Sequence, residues 1–134
     1  MSHPQLINSW LQLIRAPAGL SVISNIFVAH TLAVAGNIRL TDLLLTSVAS
    51  LCLYFGGMVL NDCFDYEEDT RDRPGRPLPS GAIPINQAWM AASILLLSGC
   101  LFAAMINLQV FSIALILTGL IVIYDSNVLP GWPA

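Results

Sequence analysis

The chain has 134 residues, 56% of them hydrophobic and only 10% charged, with a mean hydropathy of +0.74. Soluble domains carry roughly 25% charged residues, so this sequence lacks the charge to solvate a globular surface and reads as a polytopic membrane protein. The net charge is −3, lysine is absent and no basic patch exists, which leaves nothing to bind a nucleic acid.

The length allows one domain at most. Residues 1–19 form a polar-to-amphipathic lead-in, with Trp10 as an interfacial anchor and Arg15 near its end. Pro17 suits the first turn of a helix, where its missing N–H costs nothing. A first span is expected over 17–37, followed by a short turn at 36–41 in which Thr41 or Asp42 caps the next helix. Ser21, Ser24 and Asn25 are polar within this span. The Asn25 amide either bonds a neighbouring helix or lines a substrate cavity, and we carry it as a candidate substrate-binding residue. A second span over 42–62 runs straight into Asn61, with Gly56-Gly57 one turn before it for close helix packing or close approach to a ligand.

From Pro77 to Tyr124 there are 48 uncharged residues in a row. A single helix of that length would measure about 72 Å, more than twice a hydrocarbon core of about 30 Å. A break is required, and Asn107-Leu108-Gln109 is the best place for it, giving spans over 86–106 and 109–125. Helices joined so tightly are antiparallel neighbours. The expected fold class is therefore all-α, a transmembrane bundle of four spans. Cys52, Cys63 and Cys100 show no C-x-x-C spacing and read as reduced packing residues; His3 and His30 are too far apart to suggest a metal site.

Charge is concentrated in one stretch. Of the thirteen charged residues, nine lie between Asp62 and Arg76. If the second helix continues through this stretch, Asp62, Asp65, Asp69, Asp72 and Asn61 share an arc of about 100°. Like charges this close need a counter-charge, and a divalent cation with oxygen ligands supplies one. Magnesium is held through one or two carboxylates together with substrate phosphates. Pro74, Gly75, Pro77, Pro79 and Gly81 end the helix and predict a stiff, extended loop. Arg71, Arg73 and Arg76 either neutralise the acidic face or clamp phosphate oxygens, which the planar guanidinium fork does well.

The run Asn61-Asp62-x-x-Asp65-x-x-x-Asp69, continued by Arg73-Pro74 and by Arg76-Pro77-Leu78-Pro79-Ser80-Gly81 with Ile83, resembles the first signature of the UbiA family of membrane prenyltransferases. Arg15-Ala16-Pro17 is similar to that family's start. The resemblance implies a magnesium-dependent transfer of an isoprenyl group from a polyprenyl diphosphate to an aromatic or lipid acceptor. It implies that Asp62, Asp65 and Asp69 are the catalytic metal face, and that Asn61, Arg73 and Arg76 contact the diphosphate. The family has further spans and a second aspartate-rich motif, and a leucine-lysine pair after the tyrosine that Tyr124 matches; here Asp125 and Ser126 follow instead. The resemblance thus covers the first half of the family fold. It implies a truncated, split or fragmentary member that is inactive alone, with a second half-chain or a homo-oligomer as the partner that completes it.

Two other classes compete with this reading. A CDP-alcohol phosphotransferase needs D-G-x-x-A-R, which is absent. A non-catalytic half-length membrane protein or binding subunit would retain the metal–diphosphate motif without turnover. Arginine counting sets Arg15, Arg71, Arg73 and Arg76 against Arg39, which predicts an integral membrane protein, in the plasma membrane if bacterial, with the acidic loop in the cytoplasm.

Overall fold

The computed structural model describes residues 3–34 and 39–126, and every regular element in them is helical. Helix α1 covers His3–Leu13. A single 3₁₀ turn, Ala16–Ala18, leads into α2, Gly19–Ala33. Helix α3 is the longest, Leu40–Phe64, followed by the short α4, Tyr66–Asp72; α5 covers Ile85–Ala104 and α6 covers Leu108–Asp125. Four of these stretches, Ala16–Ala33, α3, α5 and α6, are long and apolar enough to cross a membrane. Leu20, Leu32, Leu97, Leu108 and Ile116 are exposed on them, as expected where the surroundings are lipid or further apolar helices rather than water.

The core is the pairing of α3 with α5. On α3, Ala49, Leu53, Gly56, Leu60 and Cys63 are buried, spaced by three and four so that they share one face. On α5 the buried set is Ala88, Ala92, Leu96, Gly99, Cys100 and Ala103. Small residues let the backbones approach. A Cβ on Gly99 would stand 2.8 Å from Leu53 and 3.1 Å from the Ala49 carbonyl, and one on Gly56 would stand 2.9 Å from Leu96. Between apolar helices in lipid, such packing contact is the main source of association. Helix α2 rests on α3 through Gly19, whose Cβ position lies 2.8 Å from the Phe55 ring. Helix α6 closes the other side, with the Cys100 thiol 3.4 Å from the Thr118 hydroxyl. The Phe64 and Trp89 rings meet edge to face, 5.0 Å apart, and tie the end of α3 to the start of α5.

The break between α5 and α6 is made by Asn107, whose side-chain oxygen accepts a 2.9 Å hydrogen bond from the Val110 N–H and caps α6. At α3 the expectation differs from the structure. Arg39 is the N-cap, and Thr41 and Asp42 lie inside the first turn, where the Asp42 charge favours the positive end of the helix dipole. Residues 35–38 of the expected turn lie outside the described residues, as does the tail after Ser126.

The proline-rich loop is compact rather than extended. Ser80 N–H bonds the Arg76 carbonyl, Gly81 N–H bonds Leu78, and Ile83 N–H bonds Pro77, all at 3.0–3.1 Å. The φ that proline fixes suits tight turns as well as extended chain, and turning buries Leu78 and Ile83, which are 3% and 0% exposed. Those two apolar anchors fasten the loop against the end of the bundle.

Candidate active site

The acidic stretch starts in the last turn of α3 and ends in α4. Asp65 is the joint between the helices, with φ −78° and ψ 3°. The helical register nevertheless persists, since Asp65 N–H bonds the Asn61 carbonyl at 2.9 Å and Asp69 N–H bonds the Asp65 carbonyl at 2.8 Å. Asp62 and Asp69 are therefore turned inward together, 7% and 5% exposed, with Asp65 half-buried between them. Asp72 and Arg71 are exposed.

Guanidinium groups supply the counter-charge within the chain. Arg76, lodged by the compact loop, stands 2.5 Å from Asp69 Oδ2 and 3.6 Å from Asp62 Oδ1. Arg73 lies 3.9 Å from Asp69 Oδ1. The third guanidinium is Arg15, 3.8 Å from Asp62 Oδ1, contributed from before the first span. Arg15 adopts the left-handed conformation, φ 51° and ψ 49°, which costs an ordinary residue about 1–2 kcal/mol. That bend lies between α1 and the 3₁₀ turn, where Arg15 meets the acidic face. The Arg15 and Arg73 side chains remain 50% and 64% exposed, so both retain donors for an incoming anion. The Asn61 amide donates to Asp65 Oδ2 at 2.9 Å.

Among the described residues no three Asp, Glu, His or Cys side chains converge on one cation position. The donor chemistry still fits magnesium, which needs only one or two carboxylates beside phosphate oxygens. Asp62 Oδ1 is buried without a hydrogen-bond partner, its two arginines standing at ion-pair rather than hydrogen-bond distance. Asp69 is engaged by Arg76 and would reach a cation only when that guanidinium turns to another anion. Asn25 is exposed on α2 and does not line the cleft described next.

That cleft, of about 400 Å³, lies between the parallel helices α3 and α6. Leu53, Tyr54, Gly57 and Met58 form one wall and Leu117, Leu120, Ile121 and Tyr124 the other, with Asn61 and Asp125 at the same end. Asp125 is 9% exposed, and its Oδ2 is buried without a hydrogen-bond partner. Gly56 therefore serves helix packing, whereas Gly57 opens onto the cleft.

These helices define a helical integral membrane protein with an aspartate face, arginines beside it and an apolar cleft ending nearby. Comparison with known proteins makes this specific. Residues 22–131 match the UbiA prenyltransferase family, and the chain belongs to that family. It is 31% identical over 110 residues to the digeranylgeranylglyceryl phosphate synthase of Sulfurisphaera tokodaii, covering 82% of this chain and 40% of that protein. The synthase of the same name from Methanothrix thermoacetophila is 39% identical over 85 residues, 63% of this chain and 32% of its own length. A solved structure, from work on digeranylgeranylglyceryl phosphate synthase in membranes, superposes with a TM-score of 0.85 at 29% identity, over 90% of this chain and 43% of that one. The chain thus spans about 40% of the length of the curated relatives it matches.

Proposed function

We propose that this chain forms the donor-binding part of a membrane prenyltransferase that moves an isoprenyl group from a polyprenyl diphosphate to a lipid acceptor. The observation that supports it most is the inward aspartate face of Asp62, Asp65 and Asp69 set against Arg15, Arg73 and Arg76 at the mouth of an apolar bundle. A diphosphate brings several anionic oxygens, which displace Arg76 and Arg73 from Asp69 and accept their hydrogen bonds. Asp62 and Asp65, and Asp69 once it is released, would hold magnesium, which would supply Lewis-acid stabilisation of the departing diphosphate when bound. Asn61 orients Asp65 through its amide and contacts a phosphate oxygen. The apolar helices keep water from the allylic carbon. Asn25, exposed on α2, stays a candidate contact for the substrate. The acidic end faces the cytoplasm, because Arg15, Arg71, Arg73 and Arg76 gather there and Arg39 stands alone at the other end.

The relatives' name makes a glyceryl phosphate lipid the acceptor class to test first, ahead of aromatic acceptors. The test is magnesium-dependent release of diphosphate from geranylgeranyl diphosphate by the full-length protein in lipid nanodiscs, with and without a glyceryl monoether phosphate. Release that needs both magnesium and the acceptor supports the reading; release indifferent to either refutes it.

A further inference from the structure

Asp125 is the one charged residue after Arg76 in the sequence, and the donor site does not account for it. Its side chain is nine-tenths buried, and Oδ2 has no hydrogen-bond partner. The described ion pairs of Arg15, Arg73 and Arg76 all go to Asp62 or Asp69. A buried carboxylate oxygen without a donor is costly, so such groups mark a role outside packing. Asp125 and Asn61 share the cleft's polar end, and Asn61 also bonds Asp65. The cleft's end therefore adjoins the aspartate face through one side chain.

The chemistry of an occupant follows. An isoprenyl tail offers no donor and would leave the carboxylate sealed under hydrocarbon. A diphosphate would be repelled by it. A lipid whose apolar body fits between Leu53, Met58, Leu117 and Ile121 and whose end carries a hydroxyl satisfies both the walls and Asp125. We infer that Asp125 binds the hydroxyl of a lipid-alcohol acceptor in the α3–α6 cleft and takes its proton during transfer, an inference that rests on the prenyltransferase reading above. The acceptor oxygen forms the new C–O bond to the allylic carbon. The bond from that carbon to diphosphate breaks, its electron pair leaving on the diphosphate, and the hydroxyl proton passes to Asp125 Oδ2.

The test uses the full-length protein in nanodiscs and a diazirine-bearing monoalkyl glycerol, alongside its fully O-methylated analogue. Light-driven labelling of residues 53–61 and 117–125 is read by mass spectrometry. The hydroxyl probe is expected to label these segments about tenfold more than the methylated one, the worth of one hydrogen bond to a charged group. In Asp125→Leu that preference disappears. Asp125→Asn, nearly isosteric, guards against misfolding of the leucine variant: it keeps donor affinity within about twofold while kcat falls by about a hundredfold or more. Equal labelling by both probes, or a preference that survives in Asp125→Leu, overturns the inference, as does loss of donor binding in Asp125→Asn. If the wild-type protein binds no geranylgeranyl diphosphate, the prenyltransferase reading fails; the labelling preference, which reads the cleft alone, then still decides whether Asp125 binds the hydroxyl.

Discussion

Among the described residues Arg76 is the one side chain paired with both Asp62 and Asp69, so its removal is the sharpest perturbation of the cluster. Arg76→Met keeps the aliphatic stem but strips the charge 2.5 Å from Asp69 and 3.6 Å from Asp62. Removing one partner of a buried ion pair costs about 3–5 kcal/mol, because it strands the other charge. Here Arg15 at 3.8 Å and Arg73 at 3.9 Å remain, but both are half-exposed and weaker partners. The expected loss is therefore about 3 kcal/mol, the low end of that range. The assay is SDS-driven unfolding in mixed micelles, run as a double-mutant cycle with Asp69→Asn. Neutralising the stranded carboxylate should recover about 2 kcal/mol, a coupling within the range for contacting residues. A loss for Arg76→Met below about 1 kcal/mol, or a cycle without coupling, would refute the claim that Arg76 holds the acidic face together.

Other consequences are directly measurable. Gly99→Ala places a methyl 2.8 Å from Leu53 and 3.1 Å from a backbone oxygen and should destabilise by about 1–3 kcal/mol. Gly119→Ala, with nothing within 4 Å, should be neutral or slightly stabilising; the same unfolding assay compares the two, and equal effects would contradict the packing described. Asn107→Ala removes the cap on α6 and should cost about 1 kcal/mol, visible as faster amide hydrogen exchange at Val110; unchanged exchange would count against the cap. Asp65→Asn in the full-length protein should lower magnesium-dependent turnover on the order of a hundredfold or more, read as diphosphate release; unchanged turnover would remove Asp65 from the metal face.

The spans and the acidic cluster were legible because both are written as long-range contrasts in polarity, which a helix of any detailed geometry must respect. Long uncharged runs can be satisfied in lipid only as helices, and the break at Asn107 was forced by length. What local spacing hid was contact across sequence. Arg15 reaches Asp62 only through a left-handed bend that no residue type signals, although its place in Arg15-Ala16-Pro17 was a hint. The prolines were read as a stiff, extended chain, and the burial of Leu78 and Ile83, which spacing does not show, turns the loop back instead. Asp125 was not singled out in the sequence, although a lone charge closing an apolar helix is a signal for functional positions in membranes. Its neighbourhood with Asn61 needed the parallel placement of α3 and α6. The aspartate arc holds for an unbroken helix, and the joint at Asp65 leaves Asp72 exposed while keeping Asp62 and Asp69 inward.

The most direct test of the central claim is equilibrium binding of radiolabelled geranylgeranyl diphosphate to the full-length protein in nanodiscs, with and without magnesium. The account predicts saturable binding that requires magnesium and is lost in Asp62→Asn. Binding that is equally tight with a chelator present, or unaffected by Asp62→Asn, would contradict it.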